Sequence, residues 1–195
     1  MRKYGEEVEK LKLPESIEKY HKGLIDIFIK EIYKYDGVGS NAREGRYEYF
    51  LRNSIRKYLP GELITGAYLN IDGFPYPYSP DICYIQDGLF FDIEIDEPYA
   101  KVNDEYITCH TNDTRRNNFF INKRWIVIRF SEKQVYCYAN SCAKEIAKVV
   151  YQLTNTPVPA SLESIKDLPK DEKWNKQEAL EMINKRYRDS YDCRF

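Results

Sequence analysis

The 195-residue chain carries 30 lysines and arginines against 31 aspartates and glutamates, and 43% of its residues are hydrophobic. This composition is that of a globular domain with a core, and the net charge of −1 excludes a chain drawn to nucleic acid or membrane by its overall field. Any nucleic-acid site must therefore come from local patches. The N-terminal stretch has no apolar region of the signal-peptide kind, and no apolar run could cross a bilayer, which predicts a cytoplasmic protein without membrane contact.

The first elements predicted along the chain are two amphipathic helices. Apolar residues recur at helical spacing over residues 15–35, and the turn DGVGSN at 36–41 separates this helix from a second one at about 43–58. The buried stripe of the second helix is expected to include Phe50, and Pro60-Gly61 ends that helix.

Three strand-like runs follow, at residues 62–71, 81–85 and 89–96. The Asp87-Gly88 pair between the last two is a tight-turn sequence, so these two runs are expected to form a β-hairpin. The rest of the chain is predicted in order as a long loop at 97–112, a helix at 112–123 capped by Asn112, a buried central strand at 124–130, a short strand at 133–138, a helix at 140–153, a linker, and a peripheral helix at 172–191.

The element order predicts a mixed α/β fold, in which an antiparallel β-meander is joined by a helical crossover to a central strand. Three regions are expected: an N-terminal helical arm at 1–40, a core at 41–154, and a C-terminal linker and helix at 155–195. The cysteines are scattered without a C-x-x-C pair, which favours buried reduced thiols over zinc ligands or disulfides: Cys83, Cys109, Cys137, Cys142 and Cys193.

Strand 89–96, LFFDIEID, places three carboxylates on one face, because side chains two residues apart point the same way. Like charges about 7 Å apart repel by about 2 kcal/mol at an effective dielectric of roughly 20. If the face is partly buried, one carboxylate must keep its proton or the group must recruit a metal. Asp81, which opens the neighbouring strand, comes near Glu94 if the register allows it, and hard divalent cations prefer such oxygen ligands. The alternative is a half-exposed polar face, and Asp92 is expected to be no more than that.

The residues from Asp81 onward resemble a known superfamily. The series DICYI, FDIEID, a loop with a histidine, DTRRNNFF and WIVIRF is similar to the PD-(D/E)xK nucleases, and most similar to their very-short-patch-repair-like (DUF559) endonuclease branch. The resemblance covers about residues 43–152 and implies a restriction-endonuclease-like αβββαβ core with a mixed central sheet flanked by helices. Its matching residues are Pro80-Asp81 for PD, Glu94-Ile95-Asp96 for E-x-D, Asp113 and Arg116 for D-x-x-R, Arg129 at the next core strand's end, and Glu48 on the first core helix.

The resemblance implies a nuclease that hydrolyses phosphodiester bonds, expected in DNA, in repair, restriction or defence against mobile elements. Mg²⁺ or Mn²⁺ would be bound by Asp81, Glu94 and Asp96, with Glu48 as a supporting carboxylate. Asp96 stands where the superfamily has a lysine, so another positive group is needed. The candidates are Lys101 and His110 in the following loop, and Asp113 and Arg116 complete the expected catalytic set.

Nucleic acid requires a cationic lining, because each phosphate contact releases counterions. For the arginines of the second helix, the alternative to nucleic-acid binding is a solvated helix face. For Glu48, the alternative to a catalytic role is a pair with Arg52 four residues on, and for Asp113 and Arg116 it is an ion pair with capping. Arg129 has its own alternative, an ion pair with an acid of the neighbouring strand. The expected nucleic-acid-binding residues are Arg43, Arg46, Arg52, Arg56, Arg115, Lys123, Arg124 and Arg129, with Tyr76, Tyr78 and Tyr99 as candidates for base stacking.

Two other functions compete with a DNA nuclease. The missing lysine and the near-neutral charge favour a non-catalytic nucleic-acid-binding or protein-interaction module that keeps the fold. An RNA-directed nuclease or toxin is the third hypothesis. The small size is that of a domain which works with a protein partner such as a helicase or a targeting subunit.

Overall fold

The computed structural model describes residues 30–40, 44–103, 105–109, 113–191 and 193. Most of the helix predicted at 15–35 lies outside these residues, and the part at 32–35 is not helical. The elements are α1 (Glu48–Tyr58), β1 (Glu62–Ile64), β2 (Ile82–Gln86), β3 (Leu89–Asp96), β4 (Tyr99–Val102), β5 (Glu105–Thr108), α2 (Thr114–Asn122), β6 (Ile126–Ser131), α3 (Glu132–Thr154) and α4 (Lys176–Asn184), with short 3₁₀ turns at Ala160–Leu162 and Tyr187–Ser190.

A four-stranded mixed sheet in the order β1-β2-β3-β6 forms the centre of the fold. The first three strands are an antiparallel meander, and α2 carries the chain across to β6, which pairs in parallel with β3. The predicted hairpin is confirmed: Asp87 and Gly88 have φ of 52° and 80°, the left-handed conformation that a two-residue hairpin turn requires. The mixed α/β class and a mixed sheet flanked by helices are therefore confirmed.

The two faces of the sheet have different partners because side chains alternate along each strand. On one face Phe91 and Ile93 of β3 pack with Ile128 of β6 against α1 and α3 in the larger core cluster. On the other face Phe90 and Val127 pack against Phe120 of α2 in a smaller cluster. The even-numbered residues of β3, and with them the three carboxylates, therefore face the α2 side.

The segment predicted as a short strand at 133–138 is helical, so that prediction is wrong. The side chain of Ser131 accepts from the Gln134 N–H while the Gln134 side chain accepts from the Ser131 N–H, a capping box that starts α3. The capping box favours a helix here, although the alternating residues of KQVYCY are typical of a strand. The predicted boundary is nevertheless visible as a kink, because Tyr138 has non-helical angles, φ −136° and ψ 35°.

Four other predicted elements have different bounds or surroundings. The expected strand at 62–71 ends at Ile64, ahead of Gly66 with φ 67°. Helix α1 begins at Glu48 rather than 43, and Phe50 on it is 43% exposed. Strand β6 is buried throughout but stands last in the order of the described strands, so it is not central. The loop expected at 97–112 contains the β4–β5 hairpin.

The expected capping residue Asn112 lies outside the described residues, and Asp113 is the N-cap of α2. The cysteine prediction is wrong for one pair, because Cys137 and Cys193 form a disulfide across 56 residues. The other three cysteines are free, with Cys83 and Cys142 buried. Among the described residues, no helix is both long and apolar enough to cross a membrane.

Candidate functional site

A cleft of about 600 Å³ lies where the end of β3 meets the start of α1 and the β4–β5 hairpin. It collects five of the eight residues predicted as catalytic, from four separate segments of the chain: Glu48, Asp81, Glu94, Asp96 and Lys101. Arg116 lies behind Glu94, Asp113 caps the helix that carries Arg116, and His110 lies outside the described residues.

The carboxyls of Asp81 and Glu94 are neighbours, as the hairpin register predicted. Ile82 pairs with Ile93, so the preceding residue, Asp81, stands beside Glu94. The Ile95 N–H donates to Asp81 Oδ2 at 2.8 Å, and the Asp81 N–H lies 3.3 Å from Glu94 Oε1. Burial and the charge of Glu94 raise the pKa of Asp81 well above its usual value. Asp81 therefore resists losing its proton beside Glu94.

Arg116 anchors Glu94 from the first turn of α2. The Asp113 side chain accepts from the Arg116 backbone N–H at 3.1 Å, which is the capping half of the alternative given for this pair. The Arg116 guanidinium, however, reaches away from Asp113, and its Nη2 donates to Glu94 Oε1 at 2.6 Å and to the Ser79 carbonyl at 2.7 Å. The rings of Tyr78 and Phe120 each lie 5.1 Å from this guanidinium. Arg116 is thus a buried positioning group for Glu94.

Arg129 binds Asp96, which is the alternative that the sequence left open for this arginine. Its Nε lies 3.1 Å from both Asp96 oxygens, and its Nη2 also donates to Oδ1. Its Nη1 donates to Asn117 Oδ1 at 3.2 Å and lies 3.6 Å from Glu94 Oε2. Although burial raises the pKa of Glu94, the charges of Arg116 and Arg129 bring it below its usual value.

Asp92 is fully buried, so the expectation that it lies on a half-exposed face is wrong. Neither of its carboxyl oxygens has a hydrogen-bond donor among the described residues, and the Arg116 Nη2 lies 3.5 Å from Oδ1. Burial and the charge of Glu94 raise the pKa of Asp92 well above its usual value. A protonated Asp92 can donate a hydrogen bond to Glu94, and this interaction is among the causes of the raised pKa of Asp92.

Glu48 forms the predicted pair with Arg52, but the pair is not on the surface. Glu48 is 3% exposed, and the Arg52 Nη2 donates to its Oε2 at 2.7 Å. Arg52 also donates to Glu44 at 2.6 Å and to the Asp81 carbonyl at 3.1 Å. Burial raises the pKa of Glu48. Arg52 therefore ties α1 to the start of β2 and holds Glu48 at the cleft.

The remaining predicted cations among the described residues divide into three groups. Arg46 lines the cleft together with Lys101, while Arg56 and Arg115 are exposed away from it. Lys123 lies 3.7 Å from the centre of the Tyr33 ring, and Arg124 pairs with Glu31 at 3.0 Å. Arg43 lies outside the described residues.

Arg188 is a cleft residue that the sequence prediction missed. It comes from the C-terminal 3₁₀ turn and binds Glu132 at the start of α3, 56 residues earlier. Its Nη2 also donates to the Tyr99 carbonyl at 2.8 Å and lies 3.6 Å from Glu97. No spacing in the sequence connects these segments, and only the docking of the C-terminal turn brings them together.

In the part of the chain that the structure describes, no three acidic, histidine or cysteine side chains are close enough to hold a metal ion together. Comparison with known proteins finds no matching family model, no similar curated protein and no similar solved structure.

Asp92→Asn should make the protein less sensitive to rising pH. Because the folded-state pKa of Asp92 is raised, its contribution to stability is fully present below the unfolded value near pH 4 and is lost as the pH rises through the folded value. Between these two pH values the free energy of unfolding of the wild type should fall by up to about 1.4 kcal/mol per pH unit because of Asp92. That of Asp92→Asn should not show this fall.

The measurement is urea unfolding of both proteins from pH 4 to 8 in chelator, with exposed Asp72→Asn as the control. As the pH rises, the free energy of unfolding of Asp92→Asn should increase relative to that of the wild type. The curve of Asp72→Asn should run parallel to the wild-type curve. Parallel curves for all three proteins would show that Asp92 is charged in the native state.

Proposed function

We propose that this chain is a metal-dependent nuclease that hydrolyses phosphodiester bonds in DNA. The observation that carries the proposal is the adjacency of Asp81 and Glu94 in a cleft, within a group where Asp81, Asp92, Glu94 and Asp96 face two guanidinium groups. This surplus of carboxyls is relieved either by protons or by a divalent cation.

The order of elements supports the same proposal. Helix α1, the antiparallel meander β1-β2-β3, helix α2 and the parallel strand β6 follow one another as in the αβββαβ core of the PD-(D/E)xK superfamily. We therefore propose a restriction-endonuclease-like fold, with the β4–β5 hairpin inserted between β3 and α2. The fold alone does not fix an activity, so the argument rests on the cleft.

The donor set fits Mg²⁺ or Mn²⁺ at Asp81 and Glu94. Mg²⁺ is typically bound by one or two carboxylates and completes its coordination with waters and substrate phosphate, so two protein carboxylates are sufficient. Asp96 does not fit as a third ligand in this arrangement, because Arg129 engages both of its oxygens. When bound, the cation would polarise the phosphate and lower the pKa of a coordinated water.

The protein's own groups provide orientation and positive charge. The Ile95 N–H fixes the Asp81 carboxyl, and Arg116 donates to Oε1 of Glu94. Oε2 of Glu94 lies 3.6 Å from Arg129, beyond hydrogen-bond distance, and is the oxygen that we propose binds the cation. Lys101 and Arg46 are both exposed at the cleft, and in this proposal they bind phosphates of the substrate. We propose Lys101 as the replacement for the missing E-x-K lysine, with His110 as the other candidate.

The test is cleavage of labelled single-stranded DNA, double-stranded DNA and RNA with Mg²⁺, Mn²⁺ or chelator. DNA should be cut only with metal, and Asp81→Asn should lose at least about a hundredfold of the rate, because it removes a metal ligand. Exposed Asp72→Asn is the matched control and should cut at the wild-type rate. Metal-independent cleavage, or full activity of Asp81→Asn, would overturn the proposal, and a preference for RNA would select the RNA-directed alternative.

A second candidate function is a nucleic-acid-binding module without catalysis. It is favoured by the engagement of Glu94 and Asp96 by arginines, and by the lack of a three-ligand group among the described residues. If the chain is such a module, it should bind DNA but cut it with none of the metals. Mg²⁺ should then have no effect on its thermal unfolding. A nuclease site should instead raise the unfolding midpoint with metal in the wild type and not in Asp81→Asn.

A further inference from the structure

A second groove, of about 380 Å³, lies between α1 and the bend of α3, outside the cleft described above. Its walls combine aromatic rings, amide side chains and a lysine: Phe50, Tyr136, Tyr138, Asn53, Asn140 and Lys57. Asn140 Oδ1 accepts from the Ser54 hydroxyl at 2.8 Å, which fixes the two walls relative to each other.

The rings of this groove are exposed to an unusual degree. Phe50 is 43% exposed, Tyr136 39% and neighbouring Tyr49 64%. Phe50 meets Tyr136 edge to face at 5.8 Å, and Tyr136 lies 4.9 Å from the ring of Tyr47. Tyr47 lines the cleft that holds Asp81 and Glu94. A continuous row of rings therefore joins the groove to the cleft, and such exposed patches mark interaction sites.

The electrostatics of the groove favour an anionic ligand. Among its nine described lining residues Lys57 carries the only charge. The kink at Tyr138 makes residues 139 and 140 the first turn of a new helical segment, so the positive end of that segment's dipole lies at the groove. The Arg46 guanidinium, which lines the cleft, also lies over the ring of Tyr47, 5.3 Å from its centre.

We infer that the groove binds unpaired nucleotides of the polymer whose backbone enters the cleft, an inference that rests on the proposed nuclease function. Bases stack on Phe50 and Tyr136, and Lys57 contacts a phosphate. Aromatic side chains need an exposed base face, which single strands offer and paired, stacked bases do not. The substrate class is therefore single-stranded DNA, or DNA with an unpaired end next to the cut.

The inference is tested by fluorescence anisotropy in chelator, with a 12-nucleotide single-stranded DNA and a 12-base-pair blunt duplex as probes. Tyr136→Leu and Phe50→Leu should each raise the Kd for the single strand by about 5- to 100-fold and leave the duplex Kd unchanged, because each removes one stacking ring. Tyr136→Phe keeps the ring and should stay within about twofold of the wild type. Tyr151, 50% exposed elsewhere on α3, provides the control variant Tyr151→Leu.

An unchanged single-strand Kd in both leucine variants would overturn the inference. An equal loss in Tyr151→Leu, or in the duplex Kd, would overturn it as well. Cleavage of the same probes with Mg²⁺ separates the two proposals. If the leucine variants bind the single strand more weakly and the wild type cuts no probe, the groove proposal stands and the nuclease proposal is rejected. If the wild type cuts the probes and the leucine variants keep the wild-type Kd, the nuclease proposal stands and the groove proposal is rejected.

Discussion

Replacing Arg116 by methionine should lower the free energy of unfolding by about 3–5 kcal/mol, the range for removing one partner of a buried ion pair. The Arg116 side chain is 12% exposed and lies 2.6 Å from Glu94, whose side chain is 8% exposed. Methionine retains much of the packing against the rings of Tyr78 and Phe120, so the loss reports mainly on charge. Glu94 is then left in the interior with the more distant Arg129 as its remaining cation.

The neighbouring residue supplies the control for this measurement. Arg115 is exposed on the same turn of α2, and Arg115→Met should change stability by less than about 0.5 kcal/mol. Adding Glu94→Gln to Arg116→Met should restore part of the loss, since the uncompensated charge is on Glu94. Urea unfolding at pH 7 measures all four proteins. A loss below about 1 kcal/mol for Arg116→Met would show that Glu94 is protonated or solvated rather than paired.

The acidic strand shows where prediction from sequence succeeds and where it stops. The alternation of apolar and acidic residues, together with the Asp-Gly turn, predicts β3, its pairing with β2 and the common face of the three carboxylates. All three features depend on residues that are close in sequence. The burial of Asp92 depends instead on α2, which covers that face and brings Arg116 from 24 residues away along the chain. No local pattern encodes that contact.

The β4–β5 hairpin could have been found from the sequence. Asn103, with φ 49°, lies at the turn between two four-residue strands, and asparagine is among the residues that tolerate this conformation. The prediction of a long loop at 97–112 did not include this turn. The helical start of α3 has a similar explanation, because Ser131 and Gln134 have the spacing of a capping box while the β-rich composition of KQVYCY pointed to a strand.

The predicted nucleic-acid-binding cations differ in what surrounds them rather than in residue type. Arg52 and Arg129 were expected to contact nucleic acid, and both are turned inward onto carboxylates. Arg46 and Lys101 remain exposed at the cleft. The Arg52–Glu48 pair is local, and its spacing is visible in the sequence, whereas the Arg129–Asp96 pair depends on how two strands are paired.

Arg188→Met should also lower the free energy of unfolding by about 3–5 kcal/mol, through a different part of the fold. Glu132 is fully buried at the start of α3, and Arg188 supplies its charge partner, with Nε 2.7 Å from Oε1 and Nη2 bonded to Oε2. The Tyr191 hydroxyl donates to the same carboxylate at 2.9 Å. Without the guanidinium, Glu132 would be a buried charge held by one hydroxyl.

Lys185→Met is the matched control, because Lys185 also forms an ion pair, with Glu181 at 3.2 Å, but its side chain is 75% exposed. That loss should stay below about 0.5 kcal/mol, the range for surface pairs four residues apart. Glu132→Gln should recover part of the loss in the Arg188→Met background, and urea unfolding under non-reducing conditions keeps the Cys137–Cys193 disulfide intact throughout. Equal, small losses for Arg188→Met and Lys185→Met would mean that the disulfide and the apolar contacts, rather than the ion pair, hold the C-terminal turn at the cleft.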